Sequence, residues 1–348
     1  MKSPLLPALI RTVQVGLLLV AGCARTSTTS FTYYIQDVAH GLHRAEIKGI
    51  WLTHEHVLVD FIGADASTSS DWNIDTVLAH LHPYFDTIGR QGVTYVVDAT
   101  PAYLGRDPIL LKRLSEQTGL RILTTTGLYG AREDKFIPTL YKNQPSDSLA
   151  AHWIKEFRNG IADTGIRPGL IKIGVDQGDT LTALHQRLVR AAARTHLATG
   201  MAIMSHTGKA NALWPQLALL QEEGVSPKAF IWAHAQAEDS IQPLVQAAHA
   251  GCWIGIDGLA WDTERCLTKV IQAKQRGILH RVLLSHDAGW YRPREPTQSI
   301  RSYATLVDSF IPKLRANGFT TNEINQLVRV NPLQAFGLQV RTANVNEN

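Results

Sequence analysis

Eight short apolar runs recur along the chain, and longer segments with helical spacing separate them. The runs cover residues 50–54, 93–99, 121–127, 169–174, 201–206, 229–234, 252–257 and 281–287. Each run is apolar through its middle, which is typical of parallel strands that are covered on both faces. The segments between them, such as 180–198, repeat apolar residues at helical spacing and end before a glycine. Eight β/α units predict an α/β fold, a (β/α)8 TIM barrel.

A doubly wound sheet is the alternative fold, but no glycine-rich dinucleotide motif follows the first run. No linker, repeat or low-complexity segment divides the chain. We therefore expect one barrel domain over residues 47–337, with a final helix over 322–337 that packs on the barrel. Residues 338–348 are expected to form a disordered C-terminal tail. The net charge of +4 comes without a dense basic stripe, which argues against a nucleic-acid partner.

The N-terminus predicts a signal peptide over residues 1–22. Lys2 and Arg11 precede an apolar run that is too short to span a membrane. The run ends in LVAGC, which resembles a bacterial lipobox, so we expect cleavage before Cys23 and lipid modification of that cysteine. Residues 23–46 would then be a tether and N-terminal extension. We therefore expect an exported protein that is lipid-anchored in the bacterial cell envelope. In a Gram-negative envelope we expect it at the outer membrane, facing the periplasm, because Ala24 is not the aspartate that favours inner-membrane retention. A plain signal peptide cut elsewhere is the alternative.

Two further cysteines lie in the expected barrel domain. The spacing of Cys252 and Cys266 fits neither a zinc ribbon nor a redox motif. A disulfide between them is one interpretation. We favour two separate reduced thiols in the core, because Cys252 begins an apolar run.

Polar residues that can bind metals stand at the ends of five of the predicted strands. They are His54, His56, Lys172, His206, His234, His286 and Asp287. Each alone has an ordinary explanation, such as a packed histidine, an ion-paired lysine or a helix-capping aspartate. In a TIM barrel, however, the carboxyl ends of all strands meet at one face, where active sites lie. We therefore expect these side chains to converge.

The spacing of His54 and His56 has a physical reason. Side chains two apart on a strand point to the same face, so both imidazoles can reach one cation while Glu55 points away. The helical zinc-protease pattern requires a histidine four residues after the first, and that position is Leu58. The stretch therefore favours a metal site built on a strand.

The chain resembles the phosphotriesterase family of the amidohydrolase superfamily. The shared segments occur in the family's order and cover nearly all of residues 47–337. They are THEH (53–56), VDAT (97–100), GRD (105–107), TGLY (126–129), LIKIG (170–174), SHTGK (205–209), the strand end at His234, LLSHD (283–287) and NPLQAFG (331–337).

The resemblance implies a binuclear site for two divalent metal ions, usually zinc. By position, His54, His56 and Asp287 would hold one ion and His206 and His234 the other. Lys172, modified by carbon dioxide to a carbamate, would bridge the two ions. A metal-bridged hydroxide would then attack an ester-type bond, with Asp287 as the catalytic residue that takes its proton. The resemblance also implies a homodimer.

Two positions depart from the family pattern. Ala237 stands where phosphotriesterases have an acidic residue, and Gly258 stands where they have histidine and the related lactonases have arginine. Tyr129 matches a lactonase position, where it could border the leaving group or be a rim aromatic without a specific role.

Trp290, Tyr291 and Arg292 follow the last strand and are candidate substrate-binding residues, although they could equally form a solvated rim. We favour a lactone or carboxylic ester as substrate. A phosphotriester or other phosphoester is the alternative. A catalytically silent ligand-binding lipoprotein and a structural envelope lipoprotein are alternatives of a different class.

Overall fold

The structure, a computed structural model, describes residues 32–68, 71–295 and 299–343. Its strands are β1 (Tyr34–Asp37), β2 (Gly41–Arg44), β3 (Ile50–Leu58), β4 (Val93–Asp98), β5 (Arg121–Leu123), β6 (Thr125–Thr126), β7 (Leu170–Gly174), β8 (Ala202–His206), β9 (Phe230–Ala233), β10 (Trp253–Ile256), β11 (Val282–Leu284) and β12 (Gly289–Tyr291). The strands from β3 to β11 supply the eight expected barrel strands, because β5 and β6 are one strand interrupted at Thr124.

The helices alternate with these strands along the chain. They are α1 (Ile74–Arg90), α2 (Pro108–Thr118), α3 (Thr139–Lys142), α4 (Ser146–Asn159), α5 (Ala183–Thr199), α6 (Ala210–Glu222), α7 (Gln242–His249), α8 (Thr263–Gln275), α9 (Ile311–Ala316), α10 (Thr321–Asn325) and α11 (Asn331–Phe336). Two π-helical segments, Leu306–Phe310 and Gln326–Val330, lead into α9 and α11. Within the described residues no helix is long and apolar enough to cross a membrane.

Local sequence explains where the helices begin and end. The Asp107 side chain accepts hydrogen bonds from the amides of Ile109 and Leu110 at the start of α2, and Pro108 occupies its first turn. Gly119 ends α2 in the left-handed conformation with φ of 73°. In α5 the same roles belong to Thr182 and Gly200.

The strands pair in parallel in two runs, β6–β7–β8–β9–β10–β11 and β5–β4–β3–β12. The interrupted strand joins the runs on one side. On the other side, β3 and β11 meet in a seam of hydrogen bonds that involve side chains: Thr53 Oγ1 donates to Leu284 O (3.0 Å), and His54 N donates to Ser285 Oγ (2.9 Å). Asp287 N adds a backbone bond to His54 O at 3.0 Å. The closed ring confirms the TIM-barrel prediction.

Alternation along the strands divides the core into two layers. One set of side chains, including Trp51, Tyr95 and Met204, fills the barrel interior, and the next residues along, such as Leu52 and Val96, pack under the helices. Phe336 of α11 joins the interior set and stacks on Trp51 at 5.9 Å between ring centroids. The final helical segment therefore packs on the barrel, as expected, and it does so at the amino-terminal end.

Both ends of the described chain dock on this closed end. Residues 34–44, inside the predicted N-terminal extension, form a β1–β2 hairpin, and Val38 N donates to Ile122 O at 2.9 Å. The expectation of a disordered tail is wrong for residues 338–343. Gln339 N donates to Gly200 O (2.9 Å) and Ser226 N donates to Arg341 O (3.0 Å), so backbone hydrogen bonds hold this segment.

Cys252 and Cys266 are both buried and free, which confirms the prediction of reduced thiols. Burial raises the pKa of each thiol to about 12, so both are protonated and inert at neutral pH. The predicted signal peptide and Cys23 lie outside the described residues.

Candidate metal centre

His54 and His56 lie on the same face of β3, as their spacing predicts. They are buried, and their ring centroids are 5.3 Å apart. Asp287, three residues after the end of β11, places Oδ1 at 3.2 Å from His56 Nε2 and 4.0 Å from His54 Nε2. The three side chains offer ligand atoms that all lie within 4.8 Å of one another. This spacing allows them to share one metal ion.

The remaining predicted ligands come from the next strands of the barrel. Lys172 of β7 places Nζ at 3.2 Å from His54 Nε2. The His234 ring lies 5.0 Å from that of His54 and 4.5 Å from that of His206. All six predicted ligands line one cavity at the carboxyl ends of the strands. Six of the seven residues that the sequence predicted to converge are therefore brought together, and His286 is the exception.

Two hydrogen-bonding groups fix the orientation of the histidines. Asp257, at the end of β10, accepts from Nδ1 of His54 (2.7 Å) and from Nδ1 of His234 (2.8 Å). Thr100 Oγ1 lies 2.8 Å from His56 Nδ1 and donates in turn to Asp98 Oδ1 at 3.0 Å. In all three rings Nδ1 therefore carries the proton, and the lone pair of Nε2 is left for a metal ion.

Asp257 and Asp98 were not among the predicted site residues. Both stand at strand ends, in WIGID and VVDA, so the reasoning that found the ligands could also have found them. Asp257, His54 and His234 also satisfy the spacing of a metal-binding group. The 2.7 and 2.8 Å separations between Nδ1 and oxygen are hydrogen-bond distances, so we assign Asp257 to orienting the histidines.

Burial and neighbouring charges set the protonation of the centre. Burial disfavours ionisation of Asp257, but the adjacent His234 and His54 outweigh it and hold its pKa well below the usual range. Burial and the Lys172 charge lower the pKa of His54 to about 4, so its ring is neutral at pH 7. Asp287 is partly exposed; burial disfavours its ionisation, but the neighbouring His56, His234 and His54 outweigh it and hold its pKa below the usual range. Neutral imidazoles and ionised carboxylates are the forms that bind metals.

Lys172 is almost fully buried, with 1% of its surface exposed. Among the described residues, Nζ hydrogen-bonds only to His54 Nε2, and no carboxylate lies at ion-pairing distance. Burial lowers the pKa of the amine to about 8. A buried ammonium without a counter-ion is unfavourable, so this position suits a neutral amine or a modified, anionic lysine.

The donor set fits two divalent cations. Imidazole nitrogens and a carboxylate oxygen are ligands that zinc and similar ions accept, and the chelating Nε2 atoms point away from their Asp257 and Thr100 partners. In the order of strands around the barrel, Lys172 on β7 stands between the two histidines of β3 and those at the ends of β8 and β9.

Glu55 lies on the opposite face of β3, as predicted. It is fully buried and accepts hydrogen bonds from Ser285 Oγ (2.7 Å), His286 Nδ1 (2.6 Å) and Ala288 N (3.0 Å). His286 Nε2 accepts in turn from Leu306 N at 2.8 Å. Glu55 and His286 therefore fasten the segment that carries Asp287 to β3, and neither lines the cavity.

The backbone near the ligands is held in a strained conformation. His234, Asp287 and Trp290 have φ angles of 62°, 51° and 65°, in the left-handed region. Such conformations in residues other than glycine cost about 1–3 kcal/mol each and concentrate at functional sites. Here they turn the ligands at the ends of β9 and β11 into the cavity.

The cavity walls are mostly apolar. Tyr129 and Trp290 line it as predicted, together with Phe61, Leu104, Phe136 and Arg132, which the sequence reading did not single out. The Tyr129 ring meets that of His206 at 5.2 Å, and Trp290 meets His56 at 6.0 Å. Burial raises the pKa of Tyr129, so its hydroxyl is protonated at pH 7 and can donate a hydrogen bond.

Tyr291 and Arg292, the other two candidate substrate-binding residues, do not line this cavity. Tyr291 is buried and packs against His80 of α1, with 5.2 Å between ring centroids. Arg292 pairs with Glu295 at 3.3 Å. Trp290 has a positive φ, and its indole lines the cavity while the next two side chains lie elsewhere.

Gln236 fills the space beside Gly258. A Cβ atom at residue 258 would lie 2.7 Å from Gln236 Nε2. Gln236 Nε2 donates to Asp257 Oδ1 (3.1 Å), and Asp257 N donates to Gln236 Oε1 (3.2 Å). The side-chain amide of Gln236 therefore contacts Asp257 next to residue 258, where phosphotriesterases carry histidine and the related lactonases carry arginine.

Comparison with known proteins agrees with this geometry. The model of the phosphotriesterase family matches residues 35–336. The chain belongs to the phosphotriesterase family. The phosphotriesterase homology protein of Escherichia coli is 28% identical over 293 residues, which cover 83% of this chain and 98% of that protein.

Two other relatives show the range of the family. A solved triple mutant of organophosphorus hydrolase from Deinococcus radiodurans has 28% identity and a TM-score of 0.78, covering 87% of this chain and 97% of that one. N-acetyltaurine hydrolase of Homo sapiens is 24% identical over 257 residues, which cover 69% of this chain and 72% of that protein. Phosphotriesterase-family members are hydrolases with a binuclear metal site, and this chain is a hydrolase of that family.

Proposed function

We propose that this protein is a metal-dependent hydrolase that cleaves a lactone or carboxylic ester. The observation that carries the proposal is the convergence of five strand-end ligands and an unpaired buried lysine on one cavity. His54, His56 and Asp287 would hold one ion, His206 and His234 the other, and Lys172 would join them as a carbamate. Zinc is the ion we favour for this set of imidazole and carboxylate ligands.

When bound, such ions lower the pKa of water to about 7 and polarise the bond that is attacked. The protein's own groups then have distinct tasks. Asp287 stays ionised and takes the proton of the attacking water. Asp257 and Thr100 hold three imidazoles in one tautomer, so the ligands do not reorganise during the reaction. Tyr129 presents a neutral hydroxyl on the wall, where it can donate to a leaving oxygen.

The walls support a substrate with apolar substituents. Phe61, Leu104 and Phe136 offer apolar surface, whereas recognition of a small polar substrate would require several converging polar groups. Gly258, beside Gln236, lacks the histidine of the phosphotriesterase relay, and Tyr129, which matches a lactonase position, lines the cavity. Together these two features are why we favour a carboxylic ester or lactone over a phosphotriester. The names of the Deinococcus and human relatives indicate phosphoesters and N-acyl amides as alternative substrates to test.

We further propose that Cys23 carries a lipid that attaches the protein to the outer membrane, facing the periplasm. The LVAGC motif at residues 19–23 supports this location. Metabolic labelling with a palmitate analogue in a bacterial host should mark the wild type and not Cys23→Ser.

The homodimer implied by the family is a proposal that size-exclusion chromatography with light scattering can test.

Metal analysis and a substrate panel test the proposed activity. Protein grown with zinc and bicarbonate should contain about two metal ions per chain and hydrolyse lactones or aryl esters faster than phosphotriesters and N-acyl amides. His54→Ala should lose metal and activity. His40→Ala, a matched change of a histidine on the β1–β2 turn, should retain both. Full metal occupancy with no turnover of any substrate would instead favour a ligand-binding protein.

A further inference from the structure

Arg132 places a positive charge beside the apolar walls of the cavity. It is among the lining residues, and its guanidinium lies over the Phe61 ring at 5.4 Å from the centroid. Apart from the buried Lys172, it is the only lysine or arginine that lines the cavity in the described residues. The cavity therefore has ligands for metal on its floor, aromatic walls and one cation at its exposed side.

The loop that carries Arg132 is held in an unusual conformation. Arg132, Glu133 and Asp134 have φ angles of 63°, 58° and 57°, so three consecutive residues are left-handed. The Asp176 carboxylate accepts from the amides of Arg132 (2.6 Å) and Glu133 (3.1 Å). His185 Nε2 lies 3.2 Å from Asp134 Oδ1 and 3.0 Å from Gly130 O. Such strain persists only where the surroundings enforce it, and it concentrates at ligand-binding positions.

The Arg132 guanidinium has no anionic partner in the described part of the chain. The nearby Asp176 carboxylate is engaged by backbone amides, and no carboxylate lies at ion-pairing distance from the guanidinium. By contrast, Arg106 and Arg294 pair with Glu156 and Asp60. A second donor in the same cavity also lacks a partner: Trp290 Nε1 is buried and meets no acceptor among the described residues.

We infer that Arg132 binds an anionic group of the substrate, remote from the bond that is cleaved. The substrate class is an ester or lactone with an apolar segment that ends in a carboxylate, sulfonate or phosphate. A planar guanidinium suits each of these oxyanions, since it can donate two parallel hydrogen bonds. This inference rests on the proposed hydrolase function, and it names the substrates that the same cavity selects.

A pair of substrates tests the inference through turnover. Mono-4-nitrophenyl adipate carries a terminal carboxylate, and 4-nitrophenyl hexanoate replaces it with a methyl group. The terminal carboxylate of the adipate ester would make one charge-assisted hydrogen-bond contact with the exposed Arg132 guanidinium. We therefore expect kcat/KM to be about tenfold higher for the adipate ester than for the hexanoate ester. Arg132→Gln should remove that preference mainly through KM, and Asp176→Asn should reduce it by releasing the loop. Arg158→Gln, an exposed arginine on α4, should keep the preference.

Binding tests the same inference without turnover. Calorimetry should show that hexane-1-sulfonate binds about tenfold more tightly than hexan-1-ol, with the preference lost in Arg132→Gln. The preference should also survive metal removal by a chelator. Loss of the sulfonate preference in Arg132→Gln without hydrolysis of either ester would support the inference and contradict the proposed function. A preference that persists in Arg132→Gln, or that vanishes when metal is removed from the wild type, would overturn the inference.

Discussion

Asp257→Asn is a nearly isosteric change that should weaken metal binding without touching a ligand. The carboxylate accepts from Nδ1 of both His54 and His234, at 2.7 and 2.8 Å. An asparagine can accept from one ring only and presents its NH2 group to the other. That ring must then carry its proton on Nε2, the atom that should face the metal ion.

The expected size follows from one lost contact. A hydrogen bond to a charged group contributes about 1.5–3 kcal/mol, which corresponds to a loss of about 10–100-fold in affinity. Replacing partners of metal-bound histidines typically has an effect of the same order, about 10–100-fold. We therefore expect zinc affinity, measured by competition with a chromophoric chelator, to fall by that factor, and activity to recover at higher zinc concentration.

The same substitution elsewhere in the chain is the control. Asp262→Asn changes a carboxylate that accepts from Arg265 N at the start of α8, and zinc affinity should be unchanged because that carboxylate does not line the cavity. If Asp257→Asn bound zinc as tightly as the wild type, the assignment of Asp257 as the group that sets both tautomers would be refuted.

Three further changes probe other parts of the molecule. Asp287→Asn should lower kcat by about 10²–10⁴-fold if it removes the proton acceptor, and full turnover with metals bound would show that Asp287 has no proton role. Glu55→Gln leaves the buried His286 Nδ1 proton without its charged acceptor and should lower the free energy of unfolding in urea by about 3 kcal/mol; an unchanged midpoint and slope would contradict this. Burial lowers the pKa of His196 to about 4, so its neutral form stabilises the fold above pH 6.5 and that contribution disappears as pH falls from 6.5 towards 4, by about 3 kcal/mol. As the pH falls, the free energy of unfolding in urea should therefore decrease more for the wild type than for His196→Gln. If it decreased equally in both proteins, the stabilising role of neutral His196 would be refuted.

The barrel could be predicted from the sequence because its strands are buried on both faces. Fully apolar runs with polar residues at their carboxyl ends predict both the strand order and the side chains that converge. The β1–β2 hairpin was not predicted, because neither of its strands is an apolar run. In β1 two of the three buried residues, Gln36 and Asp37, are polar, and the residues of β2 alternate between partly exposed and exposed.

Other features depend on backbone conformation that sequence patterns do not specify. The left-handed residues 132–134 place Arg132 at the cavity, and Trp290, which has a positive φ, lines it while Tyr291 and Arg292 do not. The role of Asp257 depends on which atoms its two oxygens meet, a matter of tertiary geometry. Its position at a strand end was visible, but its partners were not.

The seam between β3 and β11 has a consequence for how the molecule becomes active. Its hydrogen bonds join residues 231 positions apart in sequence, and contacts of such separation are intrinsically slow to form. His54 and His56 stand on one side of this seam and Asp287 on the other, so an ion bound by all three would link the two strands. The complete ligand set therefore exists only after the first and last strands have met. A chain that has folded every helix but has not joined these two strands would still lack the complete ligand set, so the candidate metal centre can form only once the ring has closed.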